Sequence, residues 1–252
     1  MTRFLGAVVV ALCVVGLGGV ARAADAKGAQ EVIDKAIKAA GGEEKLKAVL
    51  QGATSKGKGT ISFGGNDNEF TFQSTIQGLD HLRSEFEGDF GGNKVKGVTV
   101  LAGDKGWRDF GGMKMEMDKD ALANEKRNLY LQVIPFTLVP LKGKDFKAEV
   151  VGEEKVGDKP AVTLKVTGPD GKDFKLTFDK ENGLPVKLVA KVVGFMGDEF
   201  TQETTFADYK DLGGIKKATK VQAKRDGEKF MEQQVAEFKA LDKVDPKTFA
   251  EP

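Results

Sequence analysis

Residues 172–206 read KDFKLTFDKENGLPVKLVAKVVGFMGDEFTQETTF, and the spacing of their apolar positions decides the fold. Phe174, Leu176 and Phe178 alternate with Lys175 and Thr177, a period of two that sends one face of a strand inward and the other to solvent. Asp179 to Gly183 supplies turn-forming residues, and Gly183 can take the positive φ that side chains resist. Val186, Leu188, Ala190 and Val192 then alternate against Lys187 and Lys191, a break at Gly194 to Asp198 follows, and Phe200 to Phe206 makes a third strand. Turns this short join antiparallel neighbours, because a parallel crossover needs about a dozen residues or more. The stretch predicts a meander with one apolar and one charged face.

The same period runs outward in both directions. Upstream, Ile61 and Phe63, then Phe70, Phe72 and Ile76, then Leu82 and Phe86, then Val95, Thr99 and Leu101 alternate between glycine-marked turns. Strands are also expected at Phe146 to Glu154, Ala161 to Thr167, Ile215 to Arg225 and Glu228 to Leu241, followed by a short polar tail from Val244 to Pro252. About a dozen strands exceed what a flat open sheet carries without curling. The expected fold is mainly β with a few helices: a strongly curved antiparallel sheet, an incomplete β-barrel, whose concave face the helices cover.

The period changes to that of a helix in few places. Val32, Ile33, Ala36, Ile37 and Ala40 form one stripe of a helix from Gly28 that Gly41-Gly42 can end, and Leu46, Val49 and Leu50 repeat the pattern briefly. Asp118 to Arg127 reads as a helix that Asp118 can cap. Asn128 to Leu141, NLYLQVIPFTLVPL, is the most apolar stretch after the leader. Proline rules out one helix through both Pro135 and Pro140, so a helix ending near Ile134 and an apolar loop are expected. Nothing this apolar should lie bare on a soluble monomer. It either plugs the inner face permanently or covers it as a movable lid.

The chain opens with Arg3, an apolar run from Phe4 to Val20 and the small-residue site Ala21-Arg22-Ala23. This order predicts a secretory signal peptide, residues 1–23, cleaved after Ala23, and a periplasmic mature chain forming one domain, 24–252. The alternative is a membrane anchor, against which the small-residue site and the glycines of the run speak. Cys13, the single cysteine, lies inside the run, so the processed chain has no disulfide, thiolate catalysis or cysteine metal site. Loss of Arg3 and Arg22 leaves acidic residues ahead by one, and without a basic excess nucleic acid is not an expected partner. Phe outnumbers Tyr and Trp, 17 against 2 and 1, which suits a dry interior better than a sugar- or base-stacking surface.

The residue sets sought for catalysis are mostly not found, and carboxylate pairs among the 38 acidic residues depend on separation in space and read as solvated strand faces. His81 is the single histidine, so zinc and Ser-His-Asp chemistry lack their parts. Gly52 to Gly59 nearly fits a phosphate-binding loop but has Gly59 where Ser or Thr must hold magnesium, and it enters a strand. Asn66 to Glu69 gathers oxygens without the spacing of a calcium loop and reads as a hairpin turn. No enzymatic activity, cofactor or metal is expected.

The GDKGW turn at Gly103 to Trp107, FDKENGLPVKL at Phe178 to Leu188 and FADYKDLGGIKKATKV at Phe206 to Val221, in this order after a leader and an amphipathic helix, resemble the LolA-like lipoprotein-sorting superfamily along essentially the whole mature chain. The resemblance implies a half-barrel closed by helices around a cavity for lipoprotein acyl chains in transit between membranes. It also implies a possible inner-membrane release complex as partner. Members of the best-known type latch the lid with an arginine preceding a proline on an early strand. Here Gln77-Gly78-Leu79-Asp80 stands at that turn, and Arg83 does not match it.

The expected function is a carrier or binding protein for acyl chains or lipidated proteins, a monomer, with affinity from burial at about 0.8 kcal/mol per methylene. The candidate ligand-binding residues are Phe70, Phe72, Ile76, Met113, Met115 and Met117 on the sheet and Leu129, Leu131, Ile134 and Phe136 on the lid. Flexible methionines suit variable apolar shapes, although they equally fill core gaps, and ordinary core is the competing role of each residue. The rival function is an envelope scaffold or sensor acting through protein contacts, with the cavity filled by its own helix. A remaining pocket of a few hundred Å³, or none, separates the two.

Overall fold

A computed structural model describes residues 18–63, 65–194 and 197–252. The leader up to residue 17, with Cys13, lies outside the described residues. Helix α1 spans Gly18–Ala40 and α2 Glu43–Gln51. Strands β1 (Ala53–Phe63), β2 (Asn66–Gln77), β3 (His81–Phe90), β4 (Asn93–Ala102), β5 (Lys105–Phe110) and β6 (Met113–Glu116) follow. Helix α3 (Lys119–Thr137) and a 3-10 turn at Val139–Lys142 lead to β7 (Lys147–Val156), β8 (Lys159–Thr167), β9 (Asp173–Asp179) and β10 (Pro185–Val193). The chain ends with β11 (Glu199–Asp211), β12 (Lys216–Arg225), β13 (Glu228–Ala240) and a 3-10 turn at Pro246–Phe249.

Among the described residues all thirteen strands belong to one antiparallel sheet of order β6-β5-β4-β3-β2-β1-β13-β12-β11-β10-β9-β8-β7. It consists of two meanders joined along the β1–β13 pair, from Ala53 opposite Ala240 to Ile61 opposite Met231. The free edges are therefore β6 and β7, consecutive in the chain, and the sheet does not close into a barrel. The segment between them is α3, so chain connectivity alone forces this helix to travel from one edge of the opening to the other.

The α1 stripe behaves as its sequence predicts, with Ile33, Ala36, Ile37 and Ala40 buried in the core with Ala29. The helix begins earlier than expected, so the cleavage point after Ala23 lies within it. Asp118 caps α3, accepting a hydrogen bond from Ala121 N at 2.8 Å. The expected end near Ile134 is corrected: α3 runs through Pro135 to Thr137. Pro135 sits in the last turn, where the missing N–H costs one hydrogen bond and the ring's fixed φ still suits a helix. Pro140 then sits at the start of the 3-10 turn.

The tail also differs from expectation. Val244 and Phe249 are buried with Val100, and Trp107 packs against this small cluster, away from the main core. The His81 ring meets Phe249 edge-on at 5.2 Å. A polar average over the tail concealed two apolar anchors.

Candidate functional site

Between α3 and the inner face of the sheet lies a cavity of about 450 Å³. Its wall comes from β1, β2, β3, β10, β11, β12 and β13, and its roof from the α3 residues Leu131, Gln132, Pro135 and Phe136. Phe70, Phe72 and Phe86 supply aromatic wall on one side, and Phe206, Phe230 and Phe238 on the other.

The local sequence makes room for those rings. Gly57 pairs with Phe72 and Gly59 with Phe70 across β1–β2. A Cβ at Gly57 would lie 2.7 Å from the Phe72 ring and 2.2 Å from the Gln234 carbonyl, and one at Gly59 2.9 Å from the Phe70 ring. The rings therefore lie over bare backbone, a close approach that glycine in a strand permits. The GKG of the near-miss phosphate loop is the floor of an aromatic wall.

Of the ten residues singled out in the sequence, Phe70, Phe72, Ile76, Leu131 and Phe136 line the cavity. Leu129 and Ile134 lie on α3 but are buried in the packed core. Met113 and Met115 are not brought to the site. They sit on edge strand β6, 71% and 49% exposed. Met117 lies past the end of that strand, half-buried against the core, with Sδ beside Gly106. Met113 and Met115 do alternate on a strand, which ends before Met117, but a period of two does not say which face meets a core.

The roof is held at both rims. On one side Arg108 of β5 donates to Glu125 at 2.7 Å and Lys126 pairs with Asp104 at 3.0 Å. On the other, Arg127 is 4% exposed and all three of its guanidinium nitrogens donate. Nε donates to Lys191 O at 3.1 Å, Nη2 to Asp173 O at 3.0 Å, and Nη1 to Asp170 Oδ2 at 3.0 Å and to the Tyr130 hydroxyl. Tyr130 in turn donates to Asp170 Oδ1 at 2.9 Å. Burial pushes the Tyr130 phenol well above its ordinary pKa, so it keeps the proton it donates. Arg83 instead pairs with Glu85 on its own strand at 2.6 Å.

Two cations inside the cavity escaped the sequence reading. Lys217 and Arg225 occupy opposite ends of β12 and both line the cavity. Lys217 is 9% exposed, with Nζ 3.5 Å from the Phe136 ring centre and 5.0 Å from that of Phe238. Burial lowers its pKa to about 7. Arg225 lies over Phe230 at 3.5 Å and donates to Gln202 Oε1 at 3.1 Å, and burial lowers its pKa too. A signal existed: Lys217 and Arg225 share strand parity with Val221 and Ala223, the apolar side of β12.

The architecture has known counterparts. A DUF1329 family protein from Desulfovibrio piger superimposes with a TM-score of 0.55 at 14% identity, covering 88% of this chain and 97% of that one. A LolA superfamily protein from Nitrosomonas europaea gives 0.57 at 12%, covering 88% and 97%. This chain has the LolA-like fold. A candidate outer membrane lipoprotein-sorting protein domain from Vibrio parahaemolyticus gives 0.54 at 12%, covering 86% and 97%. The sequence matches no protein-family model and no curated protein. In this LolA-like chain, as the structure stands, α3 roofs the sheet without filling it.

Proposed function

We propose that the chain is a non-enzymatic carrier or binding protein for acyl chains or lipidated proteins, working in the periplasm. One observation carries the reading. After α3 has buried its own apolar side, a cavity of about 450 Å³ with aromatic walls remains beneath it, within the range of about 300–1,000 Å³ usual for small-molecule sites. Hydrocarbon placed there leaves water, which supplies affinity without directional contacts. The leader Phe4 to Ala23 supports an envelope address, and the likeness to an outer membrane lipoprotein-sorting domain supports lipidated cargo and delivery toward the outer membrane.

A titration with a fluorescent fatty acid is expected to saturate with the chain acting as a monomer. A rise that never saturates overturns the reading. The exposed Met113 and Met115 on free edge β6 favour one rival, a scaffold or sensor that works through protein contacts at that edge. In that case the titration fails, and substituting both methionines abolishes partner capture.

A further inference from the structure

Four polar side chains of the cavity lie at one level of its wall. Lys217 Nζ faces the rings of Phe136 and Phe238, and among the described residues it has neither a hydrogen-bond nor an ion-pair partner. Phe238 pairs with Ser55 across β13–β1, Ser55 with Ser74 across β1–β2, and Ser74 with Ser84 across β2–β3. All three serines line the cavity, and none of their hydroxyls bonds to another described residue. One cation and three hydroxyls thus share one level of the cavity wall. Arg225 marks the other end of β12, about 26 Å along the strand at the usual rise per residue, and is already held by Gln202 and Phe230.

Resting on the acyl-chain reading, we propose that Lys217 docks the ionised carboxylate of a free long-chain fatty acid, its head among Ser55, Ser74 and Ser84 and its chain running past Phe72 and Phe206. A buried ammonium without a counter-charge is costly, and a carboxylate relieves that cost while the hydroxyls serve its remaining lone pairs. Lys217 is the cation at this level of the cavity, Arg225 standing at the far end of β12, and it sets the charge of the head. A phosphate monoester would bring more negative charge than Lys217 can match, against aromatic walls, and an ester-linked lipid head would bring none.

The other titratable groups lining the cavity do not compete. Glu125 is held by Arg108. The Tyr209 hydroxyl donates to Pro185 O at 2.7 Å, and Arg225 is remote. Burial is the sole cause of the lowered Lys217 pKa, with no carboxylate contributing. An incoming anion would draw the proton back.

The test is displacement of a neutral fluorescent naphthylamine probe by palmitate and by hexadecanol, from the wild-type chain and from Lys217→Met at neutral pH. The palmitate-to-hexadecanol affinity ratio is expected to fall about tenfold or more in the variant, the loss of one charge-assisted contact. Hexadecanol affinity should hold within about twofold. A ratio unchanged within about twofold overturns the carboxylate assignment and leaves the acyl carrier standing. Failure of the probe and both chains to bind the wild type overturns the carrier reading and this proposal with it. Should Lys217→Met not fold, the wild type still decides. Hexadecanesulfonate, whose head stays ionised, is expected to bind roughly tenfold more weakly at pH 9 than at pH 7 while hexadecanol is unchanged, because a neutral Lys217 must first take up a proton. A flat sulfonate profile overturns the assignment.

Discussion

Two buried cations, one on α3 and one beneath it, have opposite surroundings. Arg127, in the middle of α3 itself, is surrounded by two carbonyls, a carboxylate and a phenol. Lys217, beneath the C-terminal end, meets two phenylalanine rings. Arginine's fork suits the first environment, since several fixed acceptors can each take an N–H. The second offers only cation–π attraction, which offsets part of the desolvation. One region is therefore complete without a guest. The other is complete only with one, and a binding site built from a stable fold needs both kinds of place.

The comparison breaks most sharply if Arg127 is removed. Arg127→Met leaves Asp170 without its counter-charge and two carbonyls without their guanidinium donor, and is expected to cost about 3–5 kcal/mol, read as the midpoint shift in urea. A loss below about 1 kcal/mol would show that α3 is not bolted there, and the contrast with Lys217 would collapse.

Lys217→Met should move stability the other way. At pH 7 it removes a buried group with no counter-charge, so a gain of about 2 kcal/mol is expected in the ligand-free chain. Its pH signature is specific. The Lys217 pKa is lowered from 10.5 unfolded to about 7 folded, so between those values the unfolded chain holds a proton that the folded chain has released. Stability should therefore rise as pH climbs from about 7 to about 10.5, with the penalty fully present below 7. Wild-type stability should climb relative to the variant's across that window, read in thermal melts of both. Parallel curves would sink the assignment.

The smallest effect belongs to the opposite rim. Glu125→Gln removes the carboxylate 2.7 Å from Arg108, a half-buried pair, and should cost about 1–2 kcal/mol. Lys126→Ala removes a partner of the exposed Asp104 and should leave the melt unchanged within error. If Glu125→Gln costs as much as Arg127→Met, the roof is clamped equally at both rims.

Much of this was legible in the residues. The meander from Lys172 to Phe206, the α1 stripe, the Asp118 cap and the antiparallel neighbours all follow from local periodicity and turn chemistry, which act over a few residues. The roof segment was recognisable as apolar. The β1–β13 pair was not legible, because it joins strands from opposite ends of the chain and nothing local specifies it. The methionines were misplaced for a related reason. Their alternation is real, but β6 is an edge, and being an edge is a property of strand order.

By itself the sequence determined that the strands alternate, that turns make neighbours antiparallel, that helices cover one face and that Asn128 to Leu141 must be buried, because these depend on side-chain period and backbone sterics within each segment. Only the tertiary structure decided that β6 and β7 are the free edges spanned by α3, that Arg127 finds four acceptors and that Lys217 finds none. Those outcomes depend on which distant segments meet, and a buried charge acquires its cost or its partner from that meeting alone.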